Sequence, residues 1–66
     1  MNVSINEATV TLPDGATLAD ALAAKDIKPQ GIATAVNGTV VPSQSRAATT
    51  LADGDKIVII KAFYGG

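Results

Sequence analysis

The sequence ends in two glycines, Gly65 and Gly66, and the terminal carboxylate is the group best placed to take part in chemistry run by another protein. Without a Cβ, both residues can thread a narrow channel, and their amides can be gripped closely from either side. A carboxylate is a poor electrophile, but transfer of AMP from ATP would make it an acyl adenylate with a good leaving group. A sulfur nucleophile on a partner could then attack, leaving a thiocarboxylate at Gly66. Two terminal glycines arise by chance in roughly 0.5% of chains, and the alternative is an ordinary frayed end. Against that alternative, the pair follows the most apolar segment without a polar linker, after Lys61, Ala62, Phe63 and Tyr64.

The rest of the composition excludes more than it offers. There is no Cys and no His among the 66 residues, which removes thiol nucleophiles, disulfides, imidazole bases and the usual zinc ligands. The chain therefore reads as a non-enzyme on which partners act, with no metal site. Asp53-Gly54-Asp55 is the tightest carboxylate pair, but it lacks the further oxygens of a calcium loop and reads as a turn. Five basic and six acidic side chains give a formal charge of −1 without a basic cluster, so no nucleic-acid partner is expected. No signal peptide is apparent, and no apolar run approaches the ~20 residues that span a bilayer. The expectation is a cytoplasmic protein, monomeric when free.

The elements that must hold the tail follow from periodicity. Residues 2–6 alternate polar and β-branched positions, Glu7-Ala8 turns the chain, and residues 9–12 alternate again before Pro13-Asp14-Gly15, which predicts a hairpin. Thr17 is a helix N-cap candidate with Asp20 near the positive end of the helix dipole, and Leu18, Ala21, Leu22 and Lys25 share a helical face. A strand is expected over residues 32–37, closed by Asn37-Gly38. A short strand at Val40-Val41 is halted by Pro42, and residues 43–50 read as an irregular connection. After the Asp53-Gly54 turn, Ile57-Val58-Ile59-Ile60 suits a central strand.

Strand, strand, helix, strand, short strand, strand is the order of an α+β β-grasp (ubiquitin-like) fold. In it a mixed sheet of four to five strands carries one helix on one face. The expected domain spans residues 1–62 and ends in a flexible tail, 63–66, which extended would reach roughly 13 Å. Alternation along the last strand sets Ile57, Ile59, Lys61 and Phe63 against Val58, Ile60, Ala62 and Tyr64. Lys61 favours the first set as the face away from the helix. Ile57, Ile59 and Lys61 then form a partner surface beside the tail, unless a loop covers them.

Length, strand order and the residues Val36-Asn37-Gly38, Val41-Pro42, Leu51-Ala52-Asp53-Gly54-Asp55-Lys56-Ile57 and Gly65-Gly66 together resemble the ThiS family of thiamine-biosynthesis sulfur carriers. The resemblance covers essentially the whole chain. It implies that an adenylyltransferase of the ubiquitin-activating type uses ATP and Mg to activate Gly66. A sulfur-donating enzyme then makes the thiocarboxylate, and thiazole synthase receives the sulfur. Gly65, Tyr64 and Phe63 would be read as the tail enters its partner. Ser43 stands where arginine often follows the Val-Pro pair, and Arg46 is the single arginine. A ubiquitin-like protein modifier, a molybdenum-cofactor sulfur carrier and a β-grasp interaction module without tail chemistry remain alternatives.

Overall fold

The computed structural model describes residues 1–61. Five strands form one sheet: β1 Asn2–Ile5, β2 Ala8–Thr11, β3 Ile32–Val36, β4 Thr39–Val41 and β5 Lys56–Lys61. Their spatial order is β2-β1-β5-β3-β4, with β1 and β5 parallel and the other pairs antiparallel. The last strand is therefore central, as the apolar run predicts. One helix, α1 Leu18–Ala24, packs on one face, which together with the mixed sheet makes a β-grasp domain.

Each hairpin is closed by a two-residue turn with positive φ, the hand that matches strand twist. At β3–β4 the turn is Asn37 (φ 50) and Gly38 (φ 84), both residue types that accept this conformation. At β1–β2 it is Asn6 (φ 47) and Glu7 (φ 73), one residue earlier than Glu7-Ala8. Glu7 is exposed and has a Cβ in the left-handed region, a local conflict between residue and backbone.

A helix of seven residues is too short to persist alone, so its ends and buried face must hold it. Thr17 is the N-cap: its hydroxyl accepts from the Asp20 amide at 3.3 Å, and the Asp20 carboxylate accepts from the Thr17 amide at 2.9 Å. At the other end Asp26 takes φ 55, the Ile27 amide donates to the Leu22 carbonyl and the Asp26 amide to the Ala23 carbonyl. These are the two bonds of a Schellman stop. Leu18, Ala21 and Leu22 are buried, and Leu18 and Ala21 join one core cluster with Val3, Ile5, Val10, Val41, Leu51 and Ile57. The core is aliphatic throughout, in keeping with the scarcity of aromatic residues.

Residues 43–50 are more ordered than their polar sequence predicts. Ser43–Ala48 forms a 3₁₀ helix, and its Arg46 is buried, 5% exposed. Arginine is rarely interior, which is why the sequence pattern missed it. Here Nε donates to the Thr34 hydroxyl at 3.1 Å, Nη1 to the Pro29 carbonyl at 2.9 Å and Nη2 to the Ile32 carbonyl at 2.8 Å. The Thr34 hydroxyl in turn donates to the Val41 carbonyl. The 3₁₀ helix, the loop at Pro29 and β3 meet on this one side chain, and Thr34 links it on to β4.

Replacing Glu7 by Gly removes the Cβ conflict at a modest cost in backbone entropy. We expect the domain to gain about 0.5–1 kcal/mol, read as a higher urea midpoint with an unchanged m-value.

Candidate functional site

The site begins with the strand from which the tail departs. β5 is held on both edges. Toward β3 it pairs over its length, from Val36↔Ile57 to Ile32↔Lys61. Toward β1 the ladder has only Ser4↔Lys56 and Ile5↔Ile57, after which the strand β1 turns away. Asn6 takes over there: its side-chain Oδ1 accepts from the Ile59 amide at 2.8 Å, and its Nδ2 donates to the Ile59 carbonyl at 3.2 Å. A primary amide carries one acceptor and one donor group, so it substitutes for a peptide unit and extends the ladder by one step.

The entry to β5 is secured in the same way. The Asn37 amide donates to the Lys56 carbonyl at 2.7 Å, its Oδ1 accepts from the Lys56 amide, and its Nδ2 donates to the Asp55 carboxylate. Asp55 also accepts from the Ala52 amide, and Asp53 from the Asn2 amide, so both carboxylates serve the turn. Among the described residues no group of three His, Cys, Asp or Glu could hold a metal ion.

The two faces of β5 are the reverse of the sequence expectation. Ile57 is 1% exposed in the core and Ile59 packs against it, whereas Val58 and Ile60 are 47% and 62% exposed on the face without a helix. Lys61 misled the assignment because it shares the parity of Ile57 and Ile59 yet is itself exposed. At the strand's end it pairs with Ile32 and reaches solvent without crossing the core. A single polar residue at a strand terminus therefore carries no information about which face is buried. Ile57 and Ile59 do not form a partner surface, and Lys61 is the one residue of that trio exposed to a partner.

The apolar surface that does face solvent lies on the other side of the same strand. Register places Val58 beside Ala35 and Ala35 beside Val40, and sets Ile60 beside Ala33. Val40 is 72% exposed, Ala33 exposed and Ala35 half-buried, so a contiguous aliphatic patch crosses β5, β3 and β4. Sequence reasoning missed this because residues 33–35, Ala-Thr-Ala, invert the usual pattern: the polar Thr34 is interior and the alanines face out. The tail-recognition residues Phe63, Tyr64 and Gly65, and the attachment point Gly66, lie outside the described residues, as does the boundary drawn between 62 and 63.

A β-grasp domain with a central last strand and an open apolar face belongs to the ubiquitin-like class. More particularly, the chain matches the ThiS family over residues 2–66 and belongs to it. It is similar to the crystal structure of a thiamine biosynthesis protein (ThiS) from Geobacter metallireducens, with 26% identity and a TM-score of 0.82. That match covers 100% of this chain and 99% of the other. The solution structure of a thiamine biosynthesis protein from the same organism gives 26% identity and a TM-score of 0.75, covering 100% of this chain and 88% of that one. A search of curated proteins found no match. No helix among the described residues is long and apolar enough to cross a membrane.

The corrected faces have a direct test. Ile57→Asp buries an uncompensated charge and should unfold a domain whose total stability is only several kcal/mol. Ile60→Asp should shift stability by no more than about 0.5 kcal/mol. Circular dichroism with urea titration separates the two, and an unfolded Ile60→Asp beside a folded Ile57→Asp would reverse the assignment.

Proposed function

We propose that this protein is a sulfur carrier of thiamine biosynthesis, and that its working group is the Gly66 carboxylate. The observation that carries the reading is the family match, which runs through Gly65 and Gly66 to the last residue. In the proposed cycle a terminal carboxylate oxygen attacks the α-phosphorus of ATP on an adenylyltransferase of the ubiquitin-activating type. Pyrophosphate leaves with Mg as its counter-ion. A sulfide equivalent from a sulfur-donating enzyme then attacks the acyl carbon, AMP departs with the oxygen, and a thiocarboxylate remains. Thiazole synthase would take the sulfur from that group.

The carrier's own residues would bind and position rather than catalyse. With neither Cys nor His, the chain has no thiolate or imidazole to assist the transfer. Its contribution would be a rigid base for the tail: β5, hydrogen-bonded on one side by β3 and on the other by β1 and Asn6. The patch of Val40, Val58 and Ile60 supplies an apolar docking face alongside that base. Exposed apolar surface of this kind commonly marks an interaction site. Gly65, with Tyr64 and Phe63 before it, would enter the enzyme's channel.

Two measurements address this reading. Intact-mass analysis with top-down fragmentation, after incubation with a cognate activating enzyme, ATP and a sulfur donor, should place one sulfur-for-oxygen exchange at Gly66. Gly65→Val should leave stability unchanged within about 0.5 kcal/mol yet abolish ATP–pyrophosphate exchange, because a branched side chain collides with a channel shaped for glycine. Exchange by Gly65→Val as fast as the parent would reduce the paired glycines to an ordinary chain end.

A further inference from the structure

Arg46 borders a groove that the sulfur chemistry does not use. The groove, about 700 Å³, runs between the C-terminal half of α1, the start of β3 and the 3₁₀ helix, with Leu22, Ala23, Ile27, Ile32 and Ala47 on its walls. The walls are mostly aliphatic, with Gln30 and Ser43 as neutral polar residues at the groove, and Arg46 is the one cation among them.

The charge of Arg46 is solvated but not neutralised. Its three hydrogen bonds go to two carbonyls and a hydroxyl, all uncharged. Among the described residues the one ion pair joins the Met1 ammonium to Asp14, so no described carboxylate stands within 4.0 Å of the guanidinium. A guanidinium has five N–H donors, and both terminal nitrogens retain one beyond the bond each makes. A cation largely removed from water, with donors to spare and no counter-charge, favours an anion delivered by a ligand. The aliphatic walls require that the anion come attached to an apolar body.

The groove also lies close to where the tail begins. Ile32, whose carbonyl Arg46 holds, is the β3 residue paired with Lys61. A partner that engages the chain just beyond Lys61 would approach this end of the sheet. We propose that the groove docks a segment of the partner protein that carries an Asp or Glu next to a branched apolar side chain, the carboxylate meeting Arg46 and the apolar group lying against Leu22 and Ile27. The partner's identity as the activating enzyme rests on the carrier reading above. The chemistry of the groove does not, and its test uses the free protein.

Isotope-labelled protein is titrated with acetyl-Leu-Glu-Leu-amide, with its Gln counterpart and with isovalerate, at constant ionic strength. The Glu peptide should shift the Arg46 Nε–H resonance and the amides of Ala23, Gly31 and Ala47 saturably, binding about tenfold tighter than the Gln peptide. Ala23→Glu, at an exposed wall position, should keep the native amide spectrum while abolishing that binding. Equal binding of the Gln peptide would remove the role of Arg46, and isovalerate binding as tightly as the Glu peptide would make this a site for a free acid. Absence of saturable shifts with all three probes would overturn the proposal outright. Because sulfur transfer to Gly66 is measured separately, failure here is distinguishable from failure of the carrier reading.

Discussion

The structure depends on keeping β5 paired along both edges although its neighbours are of unequal length. A central strand must satisfy its backbone groups on two sides, since an unpaired buried amide costs about as much as a lost hydrogen bond. β3 meets this need as far as Lys61, but β1 stops pairing at Ile57. Asn6 carries the pairing one step further, to Ile59, with its side chain, and it can do so because the tight β1–β2 turn puts it in the left-handed region beside Ile59. One residue thus joins the hairpin to the platform of the tail. Asn37 has the matching task at the start of β5, where its backbone and side chain both bond to Lys56. Two asparagines at positive φ, each closing a hairpin, frame the central strand.

The second constraint is the size of the core. One short helix covers one face of a five-stranded sheet, and eleven buried hydrophobic residues, none aromatic, make up the described core. Such a core does not reach the far end of β3. Arg46 supplies order there by polar means, tying Pro29 and Ile32 to Thr34 and, through Thr34, to Val41. A long aliphatic stem with a planar donor head suits that place, because the stem packs while the head satisfies carbonyls that the strand ladder leaves free. The same choice leaves a buried positive charge at the groove, so stability and recognition meet in one side chain.

Much of the fold could be read from the sequence because it rests on local rules. Thr17 and Asp20 form a capping box, Asn37-Gly38 a hairpin turn and Asp53-Gly54 the turn before β5, each by conformational preferences confined to a few residues. The centrality of β5 followed from its unbroken apolar run. The family relation was legible in the turn motifs together with Gly65 and Gly66, and the match over residues 2–66 agrees with it. The extent of the candidate site was less legible, for it involves surfaces as well as motifs.

Only the tertiary structure decided which face of β5 is buried and where Arg46 goes. Alternation separates a strand into two sets but does not say which meets the helix. That depends on the hand of the crossover and on the length of α1, which ends the core before Lys61. In the same way Thr34 is interior and Ala33 and Ala35 look outward because burial follows register with Ile59, Val58 and Ile60 rather than residue polarity. Residues 43–50 have no periodicity to announce a helix, and their order comes from acceptors contributed by Pro29, Ile32 and Thr34, distant in sequence. The sequence by itself determined the strands, the α-helix and most of their turns, and it singled out the terminal carboxylate as the candidate for chemistry. Long-range packing decided which residues face a partner, because exposure depends on what lies across from a residue rather than on the residue itself.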